Sequence, residues 1–156
     1  MKHIINKNGF TLMELMVVIA IIGLLVSVVT VSIRSSRTKG NDTGVKRGLS
    51  ELQKQAEIFF YANDNSYLGI CTDDKISVQL SNTARVNKIS AIQNNGTNGS
   101  WDKATCHDSV KEWAVEVPLA ESSDSTPMMW CVDGIGRSAK TTTLLDIAAT
   151  TCTVTE

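Results

Sequence analysis

The chain is poor in several residues on which function often leans. Aromatic side chains make up 5% of its 156 residues and proline occurs twice, so the core must rest on aliphatics. Neither sign of charge is in excess, with 15 basic against 16 acidic residues and a net charge of −1. That balance argues against a generic nucleic-acid binder, which carries a basic excess, and against an acidic disordered tail. Histidine occurs only at positions 3 and 107, and none of the four cysteines, at 71, 106, 131 and 152, forms a Cys-x-x-Cys pair. Residues 15–31 carry no charge at all, whereas residues 34–156 read as an ordinary polar domain. This length suits one domain. With the apolar stretch set aside, the remainder is small enough to need covalent staples.

Residues 10–33 contain one ionisable group, Glu14. As a helix the stretch would be roughly 36 Å long, enough to cross a hydrocarbon core. Three readings compete: a cleaved secretory signal, a plain signal anchor, and something more specialised. A secretory signal has a shorter apolar region and a small-residue cleavage site beyond it, and Val28-Val29-Thr30-Val31-Ser32 is a poor one. Lys2 and Lys7 favour a cytoplasmic N-terminus, while Arg34, Arg37, Lys39, Lys46 and Arg47 argue the opposite. Charge counting alone does not fix the orientation. Glu14 is more informative, because a carboxylate inside an apolar span costs about 2.5–3.5 kcal/mol. Either it snorkels to the interface or it meets a cation at its own depth. No Lys, Arg or His lies between positions 8 and 33. A free α-amino group would serve if the chain were cut before Phe10, and Gly9 would let a protease approach the backbone closely.

The run Gly9-Phe10-Thr11-Leu12-Met13-Glu14-Leu15, continuing Met16-Val17-Val18-Ile19-Ala20-Ile21-Ile22-Gly23, resembles the prepilin-type signal of the type IV pilin and pseudopilin family. Short basic leader, glycine, phenylalanine, glutamate four residues on and unbroken apolar run stand in fixed register. The resemblance is sharp over roughly residues 1–35 and architectural beyond. It implies that a prepilin peptidase of the membrane-embedded aspartic type cuts between Gly9 and Phe10 on the cytoplasmic side and methylates the new Phe10 amine. It further implies that Glu14 pairs with the Phe10 amine of a neighbouring copy, fixing one axial register in a filament core. Residues after 34 would then lie outside the cytoplasm. Many pilins carry a proline about two-thirds along the apolar run; residues 28–32 have none.

Beyond the apolar run, Ser35, Ser36, Gly40, Asn41, Gly44 and Gly48 interrupt the pattern with weak helix formers. Periodicity resumes at Val45, Leu49, Leu52, Ala56, Phe59 and Phe60, with Lys46, Arg47, Glu51, Lys54 and Glu57 on the other face. The Asn63-Asp64-Asn65-Ser66 cluster ends the helix. The expected fold is α+β. A long N-terminal helix, apolar then amphipathic, packs on a small antiparallel sheet in the lollipop architecture of pilins. The expected divisions are leader 1–9, membrane-spanning or filament-core helix 10–33, amphipathic continuation 34–63 and globular head 64–156. Within the head, residues 73–84 read as a short helix and 86–92 as a strand, with residues 94–100 an exposed loop. Trp113, Val115, Val117 and Leu119 alternate as a half-buried strand that Pro118 places at an edge or end. Residues 128–132 and 137–143 form a hairpin around the Asp133-Gly134-Ile135-Gly136 turn, and 147–154 a last strand.

Outside the cytoplasm four cysteines favour disulfides, and they allow three pairings. Loop logic favours Cys71–Cys106, closing the connecting loop, and Cys131–Cys152, tying the last strand to the hairpin; the second resembles the disulfide-bounded C-terminal region of many pilins. Cys106-His107-Asp108 is no catalytic triad, because triad members meet from separate elements. Asp133, Asp64 and Asn65 could offer oxygens to calcium, as in some pseudopilin heads. Turn and cap roles suit them better, since no acid-dense ligand loop is visible. No enzyme activity, cofactor or metal is expected.

The leading expectation is a structural subunit of a type IV pilus or pilin-like filament. Its partners would be copies of itself, other pilins, the prepilin peptidase and an inner-membrane assembly platform. It would sit in the inner membrane before assembly and in an extracellular or periplasmic filament after it. The alternatives are a pseudopilin of type II secretion, a minor tip subunit binding DNA or a surface, and an uncut signal-anchored domain. Arg85, Lys88 and Lys103 are too scattered for a basic stripe, so nucleic-acid binding ranks low.

Overall fold

The computed structural model describes residues 9–121 and 127–153, without the side chains of residues 30 and 31. The element order is α1 (Leu12–Ala62), a 3₁₀ turn (Ile70–Thr72), α2 (Asp74–Arg85), β1 (Ile92–Gln93), β2 (Ala104–Asp108), β3 (Trp113–Pro118), β4 (Met129–Asp133) and β5 (Ser138–Thr141). The chain divides into two compact units, Met1–Arg37 and Thr38–Glu156.

In the first unit the helical residues are exposed, including Leu15, Met16, Ile19, Ile22, Leu25 and Val29. This helix is long and apolar enough to cross a membrane. The weak helix formers beyond it do not break α1, which is continuous to Ala62. Tertiary packing overrides their propensity, as the second unit shows. A side-chain carbon at Gly44 would lie 3.2 Å from Val86 Cγ1, and one at Gly48 would lie 2.3 Å from Thr83 Oγ1. The two glycines let α2 approach α1 closely. The adjoining stripe of Val45, Leu49, Leu52 and Ala56 is fully buried, with Phe59 and Phe60 packed at the margin of the core.

Residues 63–66 end α1 as expected. Asn65 N donates to Phe60 O at 3.0 Å, Asn63 Nδ2 donates to Phe59 O at 2.8 Å, and Asp64 and Asn65 adopt left-handed φ of 53° and 56°. Asp73 caps α2, its Oδ1 accepting from Lys75 N and Ile76 N. Ile76, Leu80 and Ala84 of α2 join the core, against Cys106, Trp113, Val115, Val117 and Val132 of the sheet.

The sheet runs in simple order β1-β2-β3-β4-β5 and departs from expectation in four places. It is mixed, because β1 pairs parallel to β2 while the other pairs are antiparallel. Residues 86–92 are no strand beyond Ile92; Val86, Asn87, Lys88 and Ile89 donate their amides back to the end of α2. β3 is the central strand and buried on both faces rather than one, with Pro118 as its last residue. Residues 147–153 are irregular, with Ala149 O and the amide and carbonyl of Cys152 taken by side chains; residue 154 lies outside the described residues. β2 gave no clear signal, because its Ala-Thr-Cys-His-Asp run mixes polar types that are nevertheless buried. The hairpin is as expected, with β4 paired to β5 around residues 134–137.

Both favoured disulfides are present. Cys71–Cys106 joins the 3₁₀ turn to β2, and Cys131–Cys152 joins β4 to the irregular segment.

Candidate assembly site at the start of the helix

Helix α1 starts with four amides that lack intrahelical partners. Thr11 stands before its first residue and accepts Leu15 N at its own carbonyl, 3.3 Å away. Its Oγ1 accepts Glu14 N at 3.2 Å. Glu14 Oε2 in turn accepts from Thr11 N at 3.4 Å and Thr11 Oγ1 at 3.3 Å. This reciprocal arrangement is a capping box, in which the threonine satisfies one orphan amide and the glutamate another. The cap accounts for the local partners of Glu14 in a single chain. It leaves the carboxylate on an exposed apolar helix with no side-chain cation from position 8 to 33.

Phe10 is 84% exposed and touches no core. A side-chain carbon placed on Gly9 would meet nothing within 4 Å, so no contact among the described residues requires glycine there. Gly9, Phe10 and Glu14 thus lie close together along one exposed helix start. Thr11 was not singled out by the sequence reading. The Thr-x-x-Glu spacing ahead of an apolar run is the signal that would have found it.

The other candidates have structural roles. Cys106 is in a disulfide, His107 is buried, and the Asp108 carboxylate accepts from Gly69 N and Asn95 Nδ2. Asp133 Oδ1 accepts Arg137 N at 2.8 Å, closing the hairpin turn, and its Oδ2 accepts Cys152 N at 2.9 Å. Among the described residues no group of three or more His, Cys, Asp or Glu gathers as a metal site.

An apolar membrane-length helix opening on this register, followed by an α+β unit with two disulfides, is a pilin-like fold. The family model described as "Prokaryotic N-terminal methylation motif" matches residues 5–30. The chain is 42% identical over 62 residues to the "Type IV wide pilus major component PilA4" of Thermus thermophilus, covering 40% of this chain and 47% of that protein. It therefore spans about half the length of the curated relative it matches. No solved structure matches it significantly. By these matches the chain carries the N-terminal methylation motif and is similar, over part of its length, to a type IV pilus component.

Proposed function

We propose that the chain is a structural subunit of a type IV pilus or a closely similar filament, cut between Gly9 and Phe10 and methylated on the Phe10 amine. The observation that carries this reading is the exposed start of α1, where Gly9, Phe10 and Glu14 keep the register of the family signal and Glu14 meets the local Thr11 cap on an exposed apolar helix. An exposed apolar helix needs lipid or other helices around it. In either setting the Glu14 carboxylate is costly without a cation, and the new Phe10 amine of a neighbouring copy supplies one. Helix association by close packing then brings that pair into a single register. The pilus named for the Thermus relative favours a pilus over a secretion pseudopilus. The proposed partners are copies of the chain, other pilins, a prepilin peptidase and an inner-membrane platform. The N-terminus faces the cytoplasm before cutting, and the role is mechanical rather than catalytic.

Intact mass and an N-terminal fragment spectrum of the protein from its native membrane or shed filaments test the reading. A chain beginning at Phe10 with one added methyl group supports it. A chain retaining residues 1–9, from cells with an active prepilin peptidase, overturns it in favour of an uncut anchored domain.

A further inference from the structure

The two faces of the sheet differ in chemistry. One is the aliphatic and aromatic core. The other is lined by Thr105 and His107 of β2, Ala114 and Glu116 of β3, and Cys131 and Asp133 of β4. Their pairings, Thr105 with Glu116, His107 with Ala114, Glu116 with Cys131 and Ala114 with Asp133, put them on one side. All six are buried. The cover is residues 144–152, a segment with no strand of its own.

Such a segment must find partners for its backbone, and here three ionisable side chains provide them. Glu116 Oε2 accepts Leu145 N at 3.1 Å, Asp133 Oδ2 accepts Cys152 N, and His107 Nδ1 lies 3.0 Å from Ala149 O. The other ring nitrogen, His107 Nε2, lies 2.9 Å from Thr97 O. Glu116 Oε1 is buried without a hydrogen-bond partner. It lies so close to Gly99 that a side-chain carbon there would be 2.1 Å away. An ionised carboxylate is poorly served in that position, and a neutral carboxyl is not.

We propose that this face is a proton-operated clamp on residues 144–152. With Glu116 neutral the segment is docked; loss of its proton frees residues 145–149, while the Cys131–Cys152 bridge keeps the segment tethered.

The surrounding charges do not relieve Glu116. On the same face His107 and Asp133 stand two residues along the neighbouring strands, and Asp133 is already held by Cys152 N and Arg137 N. Arg137 Nη1 donates to Cys152 O, and Glu112 accepts from Thr150 Oγ1. The cover itself brings Gly99 and Leu145 against Glu116, with Asp146 next in the segment and Asp102 and Lys103 in the loop before β2. Burial pushes the Glu116 carboxyl from its ordinary 4.5 up to about 7, against the opposing pull of Leu145 N–H and the Thr105 hydroxyl. The docked state therefore holds a proton that the released state gives up between those values. Docking is strongest below 4.5 and is lost as pH rises through about 7.

The test is amide hydrogen exchange on the full chain in detergent micelles, corrected for intrinsic rates. If release returns Glu116 to 4.5, the opening constant of residues 144–152 should rise about 25-fold from about pH 5.5 to 8.0, with β3 amides unchanged. Glu116→Gln keeps an acceptor for Leu145 N but cannot ionise, and should remove most of that rise. A wild-type opening constant independent of pH, or a full rise in Glu116→Gln, overturns the clamp. Carbon-13 titration of the wild-type Glu116 carboxyl needs no variant. Ionisation coincident with opening supports the clamp, and ionisation near 4.5 refutes it. The clamp lies in the head alone and stands whether or not the chain assembles.

Discussion

Gly48→Ala and Gly40→Ala are the same chemical change in the same helix, and the structure gives them opposite signs. Each removes the backbone freedom of a helical glycine, a gain of about 1 kcal/mol where space allows. At Gly40 a side-chain carbon meets nothing within 4 Å, so the gain should be realised in full. At Gly48 the same carbon would lie 2.3 Å from Thr83 Oγ1 and 2.6 Å from Thr83 Cγ2. Thr83 is β-branched and buried on α2, so it has little room to turn aside. Overpacking of that kind costs about 1–3 kcal/mol. Set against the propensity gain, Gly48→Ala should destabilise by about 1 kcal/mol and stand about 2 kcal/mol below Gly40→Ala. For a unit of this size that gap is roughly 8 °C in melting temperature. The assay is thermal unfolding of the full chain in micelles, followed by near-ultraviolet circular dichroism. Thr83→Ala removes both clashing atoms, so the pair Gly48→Ala with Thr83→Ala should recover much of the loss, as a double-mutant cycle reads directly. Equal shifts for the two alanine variants would refute the close approach of α2 to α1 at Gly48.

Glu14→Ala should still insert into membrane, since it removes a charge, yet lower filament incorporation; wild-type filament yield, measured by shearing and quantifying the pili, contradicts the register role. A bulky residue at Gly9 should leave uncut precursor in the membrane without altering the head's circular dichroism, because nothing in the chain packs on that position. Replacing Cys131 and Cys152 by serine opens a loop of sequence separation 21 and should cost about 3 kcal/mol by chain entropy, read as a lower denaturant midpoint. Tyr67 donates its hydroxyl to Glu57 Oε1 at 3.1 Å, and burial first, then Glu57, pushes the phenol up to about 12. Ultraviolet titration should show its phenolate only near that pH and lose the step in Tyr67→Phe. The associated stability is present below 10 and declines as pH rises through about 12.

What could be read from the sequence depended on how local its cause was. The stripe from Val45 to Ala56, the stop at residues 63–66 and the Asp73-capped helix follow from side chains within a turn of one another. Each appears as expected, the helix stop and α2 within a residue or two. Gly44 and Gly48 looked like interruptions because their reason, Val86 and Thr83 on α2, lies far along the chain. β2 and the two-sided burial of β3 were hidden for a related cause. His107 and Glu116 are polar residues made fit for burial by the backbone of residues 97–149, which no periodicity encodes. His107, Asp133 and Arg137 explain why 147–153 is not a strand, since Ala149 O and the amide and carbonyl of Cys152 are bonded by side chains instead of a ladder. At the helix start, Gly9, Phe10 and Glu14 were legible because their register is a fixed string. Thr11 needed only the capping-box spacing to be seen beside them.

The covering segment also sets an order of events. In the chain, β1 to β5 all precede residues 144–152, and the bridge that pins this segment closes only when Cys152 reaches Cys131. Any process that delivers the head N-terminus first, whether synthesis or threading across a membrane, therefore presents a sheet with one face finished and the other open. Until residue 152 arrives, Asp133 lacks Cys152 N, and His107 and Glu116 have only the loop around Thr97 and Gly99 against them. Docking of the segment is then a desolvation: water leaves the remaining open side of three ionisable side chains, and the oxidised bridge records that it has happened.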